Sequence, residues 1–230
     1  MNSFGKLPHR PFRHVPMHVI YRLKDSIPRQ VLRHLQEDYA AHAASVAYEG
    51  DSAEATRRQV YEVLIEDALH ETSNGPYHLS DPRIADIVLS SWQWLAANRG
   101  IQVHAVCVMG NHVHVLVSSQ NGCVVPAGKI MRDHKSHTGL AANRLLGLGG
   151  EPFWEVSYFD RDVRAGTFNT VMWYILNNPV AAGLVDHWEA WPHTYLYPDY
   201  DMLFRRFTET AFRERLRLAL ATPVEEEGMP

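Results

Sequence analysis

The stretch Gly110-Asn111-His112-Val113-His114-Val115-Leu116-Val117 restricts the folding of this chain more than any other. Side chains two apart in a strand share a face. Val113, Val115 and Val117 therefore make an apolar face that must be buried, while His112 and His114 point together to the opposite side. Just upstream, residues 101–109 (IQVHAVCVM) form a second apolar run, and only Gly110-Asn111 separates the two. So short a connector joins antiparallel neighbours. A hairpin with a valine face needs helices to cover it.

The remaining chain supplies them. Residues 17–23 (MHVIYRL) read as a short strand. Helical spacing runs over 29–47, 52–71 and 81–98, the last opened by Asp81-Pro82 as a cap and first-turn pair. Another helix is predicted over 126–146 and ends at Gly147 to Gly150. Residues 153–163 look extended, and 167–178 is a short helix stopped by Pro179. A final helix covers roughly 200–220. This order predicts an α+β fold, a small antiparallel sheet with helices on one face, plus extra helices inserted after the first strand and at the C-terminus. The main domain is expected over 1–197, with the helical insertion at about 29–98, and 198–230 is read as a C-terminal helix and acidic tail.

Composition narrows the function classes. Cys107 and Cys123 are the two cysteines, which excludes a disulfide framework and a four-cysteine zinc site. No run approaches the ~18–20 apolar residues of a membrane helix, and the basic N-terminus precedes no apolar h-region. A cytoplasmic protein without a membrane partner is the expectation. The net charge of -4 is unevenly spread. Residues 1–35 hold seven Lys and Arg against Asp25 alone, whereas 36–100 hold eleven acidic residues against four basic ones. A polyanion would have to meet the first block or a local cluster. Lys129, Arg132, Lys135 and Arg144, against Asp133, form such a cluster, with His134 and His137 alongside as phosphate contacts.

Two imidazoles on one strand face are a ready bidentate metal site, or two polar groups on a solvated face. Tyr174 and Asn178 lie four apart, hence on one side of the helix. If that helix covers the histidine face, Asn178 can offer a third ligand oxygen and Tyr174 a phenol beside the ion. A metal-anchored phosphate beside a tyrosine is a nucleophilic arrangement. Trp154, Tyr158 and Phe159 are read as core or as base-stacking groups, and Cys107 as a small buried residue.

These residues, taken in order from about 101 to 197, resemble the HUH-type single-tyrosine transposases, most closely the REP-associated tyrosine transposases. The family strand ends in Met-Pro-Asn-His, matched here by Met109-Gly110-Asn111-His112, followed by Val113-His114-Val115-Leu116. An aromatic segment with an acidic residue and an arginine follows, from Phe153-Trp154-Glu155 to Arg164. Then comes Tyr174-Ile175-Leu176-Asn177-Asn178-Pro179-Val180, with Gly183-Leu184-Val185 after it and Trp191-Pro192 and Tyr195 beyond. Gly110 departs from the usual proline, and residues 36–80 look longer and more acidic than the family's corresponding helix.

The resemblance implies a ferredoxin-like domain that nicks single-stranded or hairpin DNA and transfers the strand. Tyr174 would be the nucleophile, forming a 5′-phosphotyrosine. His112, His114 and Asn178 would hold Mg2+ or Mn2+. Arg164 joins Lys129, Arg132, Lys135 and Arg144 as expected DNA contacts, and the active unit is a monomer or homodimer. Two other readings stay open, a phosphodiesterase using the same histidines with water as nucleophile, and a DNA-binding protein that has kept the fold alone.

Overall fold

The structure, a computed structural model, describes residues 9–45, 60, 63–70 and 75–205. The chain divides into two compact units, Met1–Leu196 and Tyr197–Pro230.

The first unit is built on five antiparallel strands: β1 (Met17–Arg22), β2 (Ile101–Val108), β3 (His112–Ser119), β4 (Phe159–Asp162) and β5 (Thr194–Leu196). Their spatial order is β4-β1-β3-β2-β5. The first four strands follow the 4-1-3-2 order of a ferredoxin-like sheet, and β5 extends it beyond β2. The helices of this unit are α1 (Arg29–Ser45), α2 (residues 63–70), α3 (Pro82–Asn98), α4 (Ala127–Leu146) and α5 (Phe168–Ala181). No helix of the described residues is long and apolar enough to cross a membrane.

The alternation read from the sequence divides the sheet into two faces. Met17, Val19 and Tyr21 of β1, Val103, Val106 and Val108 of β2, and Val113, Val115 and Val117 of β3 pack with Ile84, Val88, Trp92 and Leu95 of α3 and Ile130, Met131 and Ala142 of α4. A bulge between Val103 and Ala105 keeps the β2 valines on this side, because it takes up the extra residue, His104, which is buried away from them. His104 bonds Ser118 instead, at 2.9 Å. The other face carries His18, Ile20, Cys107, His112, His114 and Leu116, and all six are buried. Helices therefore cover both faces and not one. Ile20, Leu116 and Cys107 are apolar enough that leaving them in water would be unfavourable.

Local signals explain most boundaries. Asp81 caps α3 by accepting from the Arg83 backbone N–H, and Pro82 opens its first turn. Gly147, at φ 66°, ends α4 in the left-handed conformation. Pro179 does not stop α5, which continues to Ala181. Proline's fixed φ is itself helical, so it removes one hydrogen bond without turning the chain away. The turn comes at Gly183, φ 68°. The extended segment 153–163 holds one bridge, Leu23 to Trp154, before β4, and β5 carries no alternating pattern in the sequence long enough to announce it. In the second unit, Asp201–Phe204 is helical and Arg205 Nε reaches Asp201 Oδ1 at 2.9 Å. Most of the helix expected over 200–220 lies outside the described residues, as does the N-terminal half of the one expected over 52–71.

Candidate active site

The site is assembled where α5 and α2 cross the histidine face of the sheet. Strand β3 places His112 and His114 side by side, and their Nε2 atoms face each other at 3.0 Å. Each ring is held from behind. His112 Nδ1 meets Asn111 Oδ1 at 2.7 Å, and His114 Nδ1 meets Nε2 of His18, from β1, at 3.1 Å. The Asn111 amide has a defined orientation because its Nδ2 donates to the Leu69 carbonyl at 3.0 Å. Its Oδ1 can only accept, so the proton of His112 sits on Nδ1 and Nε2 presents a lone pair.

Burial holds the pair neutral. His112 is pushed down to about 3 by desolvation first and by the neighbouring His70 second, while a hydrogen bond with the Asn178 side chain acts the other way. His114 lies well below the ordinary histidine value for the same leading reason, reinforced by His112, His18 and His70. Neutral imidazoles are the form that binds metals.

Two proton arrangements satisfy the 3.0 Å contact. His114 can donate from Nε2 to His112 and accept from His18 at Nδ1. Alternatively, its proton moves to Nδ1, where it donates to His18, and both Nε2 lone pairs face a shared cation. Two donors at roughly 2.1 Å from one ion are about 3 Å apart when they subtend a right angle, so the pair fits a divalent ion as cis ligands. Among the described residues no group of three or more His, Cys, Asp or Glu is placed to hold a metal. Asn178, whose side chain hydrogen-bonds His112, is a candidate for a further ligand.

Helix α5 delivers Asn178 and Tyr174 four residues apart. Val171, Met172, Ile175 and Leu176 bury its apolar stripe, and Asn178 is buried with them at 2% exposure. Tyr174 remains 38% exposed. Its ring stands edge-on to His114, with centroids 5.9 Å apart, and to His18 at 5.8 Å. Tyr174 is thus the exposed member of this group, its ring set edge-on against the buried His114 and His18. Helix α2 adds Glu66 and His70, which sequence reasoning missed. Glu66 accepts from Asn178 Nδ2 and lies 3.7 Å from His114 Nε2, and His70 Nε2 is 3.2 Å from Asn178 Oδ1. Glu and His four apart on one helix were a faint signal, and nothing local tied them to a strand over 40 residues away.

The expected DNA contacts are scattered. Lys129, Arg132 and Arg144 are exposed on α4, and Arg164 is exposed beyond β4. Helix α4 covers the valine face, so its cations lie across the sheet from the histidines. Lys135 is engaged elsewhere. Its Nζ donates to the carbonyls of Glu155, Val156 and Ser157 at 3.0, 3.3 and 2.9 Å and lies over the Tyr158 and Tyr21 rings. Burial pushes it down to about 7. His134 is not a phosphate contact either. It is buried between Tyr21 Oη, 2.6 Å from Nε2, and Ser91 Oγ, 2.8 Å from Nδ1. Trp154 is core, its indole N–H donating to Thr138 at 2.9 Å, and Cys107 is fully buried.

The family model described as transposase, IS200 like, matches residues 77–178. Over this stretch the chain is similar to the IS200-like transposases. The match spans both histidines, Tyr174 and Asn178, as the motif resemblance led us to expect. No curated protein matches the chain. Among solved structures, the chain is similar to a REP-associated tyrosine transposase bound to a REP hairpin, at 14% identity and a TM-score of 0.49, with 90% of this chain and 89% of the other covered. It is also similar to a putative transposase from Deinococcus radiodurans R1, at 15% identity and a TM-score of 0.37, covering 77% of this chain and 98% of the other. Glu66 and His70 lie outside the IS200-like segment.

Proposed function

We propose that this protein cuts and rejoins single-stranded DNA through a covalent bond to Tyr174, with Mg2+ or Mn2+ held by His112, His114 and Asn178. The observation that carries this reading is an exposed tyrosine set edge-on against one of two buried, neutral imidazoles whose Nε2 atoms converge, all within the IS200-like segment. In the reaction, the Tyr174 oxygen attacks a backbone phosphorus and the phenol gives up its proton. The Tyr174 O–P bond forms as the bond from phosphorus to the 3′ oxygen breaks. The products are a 5′-phosphotyrosine and a 3′ end that takes up a proton as its hydroxyl. One phosphoester replaces another, so the reverse attack by a 3′-hydroxyl transfers the strand without a nucleotide cofactor.

When bound, the divalent ion draws charge from the phosphate oxygens and favours phenolate formation by a tyrosine whose ordinary pKa is ~10. His112 and His114 contribute lone pairs; Asn111 fixes the His112 tautomer, and His18 accepts from His114 Nδ1 in the arrangement that frees its Nε2. Exposed Arg164 and the α4 cations Lys129, Arg132 and Arg144 would neutralise DNA phosphates, those of α4 on the side of the sheet away from the scissile position. Lys135, spent on three carbonyls, is removed from that set.

The test is a denaturing gel of labelled hairpin-containing single-stranded DNA incubated with the protein and Mn2+. The expected result is a covalent protein–DNA band that Tyr174→Phe abolishes. Cleavage that persists in Tyr174→Phe with no adduct in either protein means water is the nucleophile. Binding without cleavage by the unaltered protein means the fold serves recognition alone.

A further inference from the structure

The helical segment 63–70 lies outside the residues matched to IS200-like transposases, yet it holds both ends of one side chain in the site. Glu66, buried at 6% exposure, accepts a hydrogen bond from Asn178 Nδ2. His70 Nε2 lies 3.2 Å from Asn178 Oδ1 and donates to it when its proton sits on that nitrogen. The same segment gives the Leu69 carbonyl to Asn111 Nδ2, and so orients the amide that fixes the His112 tautomer. Packing seats it. Ala68 and Leu69 form a small core with Ile27, against which Val31, Leu32 and Leu35 of α1 and Ile65 are packed. The register is therefore set by apolar contacts, which present Glu66 and His70 to α5.

A side-chain amide is a poor ligand when it is free to rotate, because its oxygen and nitrogen ends exchange places at little cost and only the oxygen can bind a cation. A carboxylate on the nitrogen end allows one orientation alone. We infer that Glu66 and His70 are positioning residues that clamp the Asn178 amide with its oxygen available to the divalent ion, so that the segment before the IS200-like region is an integral part of the active site. The inference rests on the proposed ion site. It gives Glu66 no bond to the ion, which separates the clamp from a site in which Glu66 is itself a ligand. Outer partners of this kind typically alter metal affinity 10–100-fold.

The test is Mn2+ binding to the full-length protein without DNA, followed by the loss of the free-ion electron paramagnetic resonance signal, in the unaltered protein and in Glu66→Leu, Glu66→Gln, His70→Leu and His70→Gln. Thermal melting of each variant reports folding. Glutamine at 66 keeps an oxygen acceptor for Asn178 Nδ2, and glutamine at 70 keeps a donor for Oδ1. The clamp predicts that Glu66→Leu weakens Mn2+ binding about tenfold or more, and that Glu66→Gln restores most of it. His70→Leu is weakened less, because one end of the amide stays fixed, and His70→Gln is closer to normal. Folded Glu66→Leu with unchanged affinity overturns the inference while leaving the ion site standing. Equal losses in Glu66→Gln and Glu66→Leu overturn it in favour of direct ligation. Absence of Mn2+ binding by the unaltered protein overturns the ion site and the clamp together.

Discussion

Asn111 does two things at once, and both are buried. Its nitrogen satisfies a peptide carbonyl from residue 69 and its oxygen satisfies the N–H of a histidine ring, at 2% exposure. Truncating it leaves a buried acceptor and a buried donor unmet, each worth about 1–3 kcal/mol. Asn111→Ala is therefore expected to lower unfolding free energy by about 2 kcal/mol or more in a urea titration, and to weaken Mn2+ binding because His112 can then rotate or change tautomer. A stability loss below about 0.5 kcal/mol would contradict the dual role. Lys135 teaches the complementary lesson. From the sequence it was one of four like charges on a helix, but three carbonyls and two aromatic rings surround its ammonium. Whether a cation meets DNA or its own loop depends on contacts that spacing alone does not encode.

At the scale of elements, the hairpin turn carries a departure that the structure explains. A side-chain carbon at Gly110 would come within 2.9 Å of both Tyr77 Cδ1 and Ser80 Oγ. The Leu79 N–H donates to the Gly110 carbonyl at 3.1 Å, which keeps this approach close. Gly110→Pro, the residue usual in resembling sequences, is thus expected to destabilise by about 1–3 kcal/mol through overpacking. A melting temperature equal to or above that of the unaltered protein would refute this. The β2–β3 hairpin, α3, α4 and the Tyr174-to-Asn178 helix were legible because each carries a strong period and a boundary signal, such as Asp81-Pro82 or Gly147. Pro179 misled because a helix-compatible φ outweighed a single missing hydrogen bond. Strand β5, three residues long, is defined by its pairing with β2 and not by any pattern of its own. That His112, His114, Tyr174 and Asn178 lie together was legible because motif and spacing coincide. Glu66 and His70 could not, since their partners come from segments that only the fold brings near.

Across the whole molecule, buried neutral histidines tie stability to pH. Desolvation holds His134 at about 3 and His104 at about 4, against 6.5 in the unfolded chain. Below 6.5 the unfolded chain takes up protons that the folded state refuses, so the equilibrium moves toward unfolding. Their contribution is fully present above pH 6.5 and is lost as pH falls toward 4 for His104 and 3 for His134. The urea midpoint is expected to drop steadily between pH 6.5 and 4.5, with a shallower slope in His134→Gln. A midpoint that is flat over that interval would refute the assignment. The strict alternation along β3 has a last consequence. Removing or adding a single residue within it would exchange its two sides, driving the imidazoles into oil and bringing the valines out beneath the tyrosine. Changes in length there strike stability and chemistry in one blow, whereas the exposed loop Gly147 to Gly150 can lengthen at little cost.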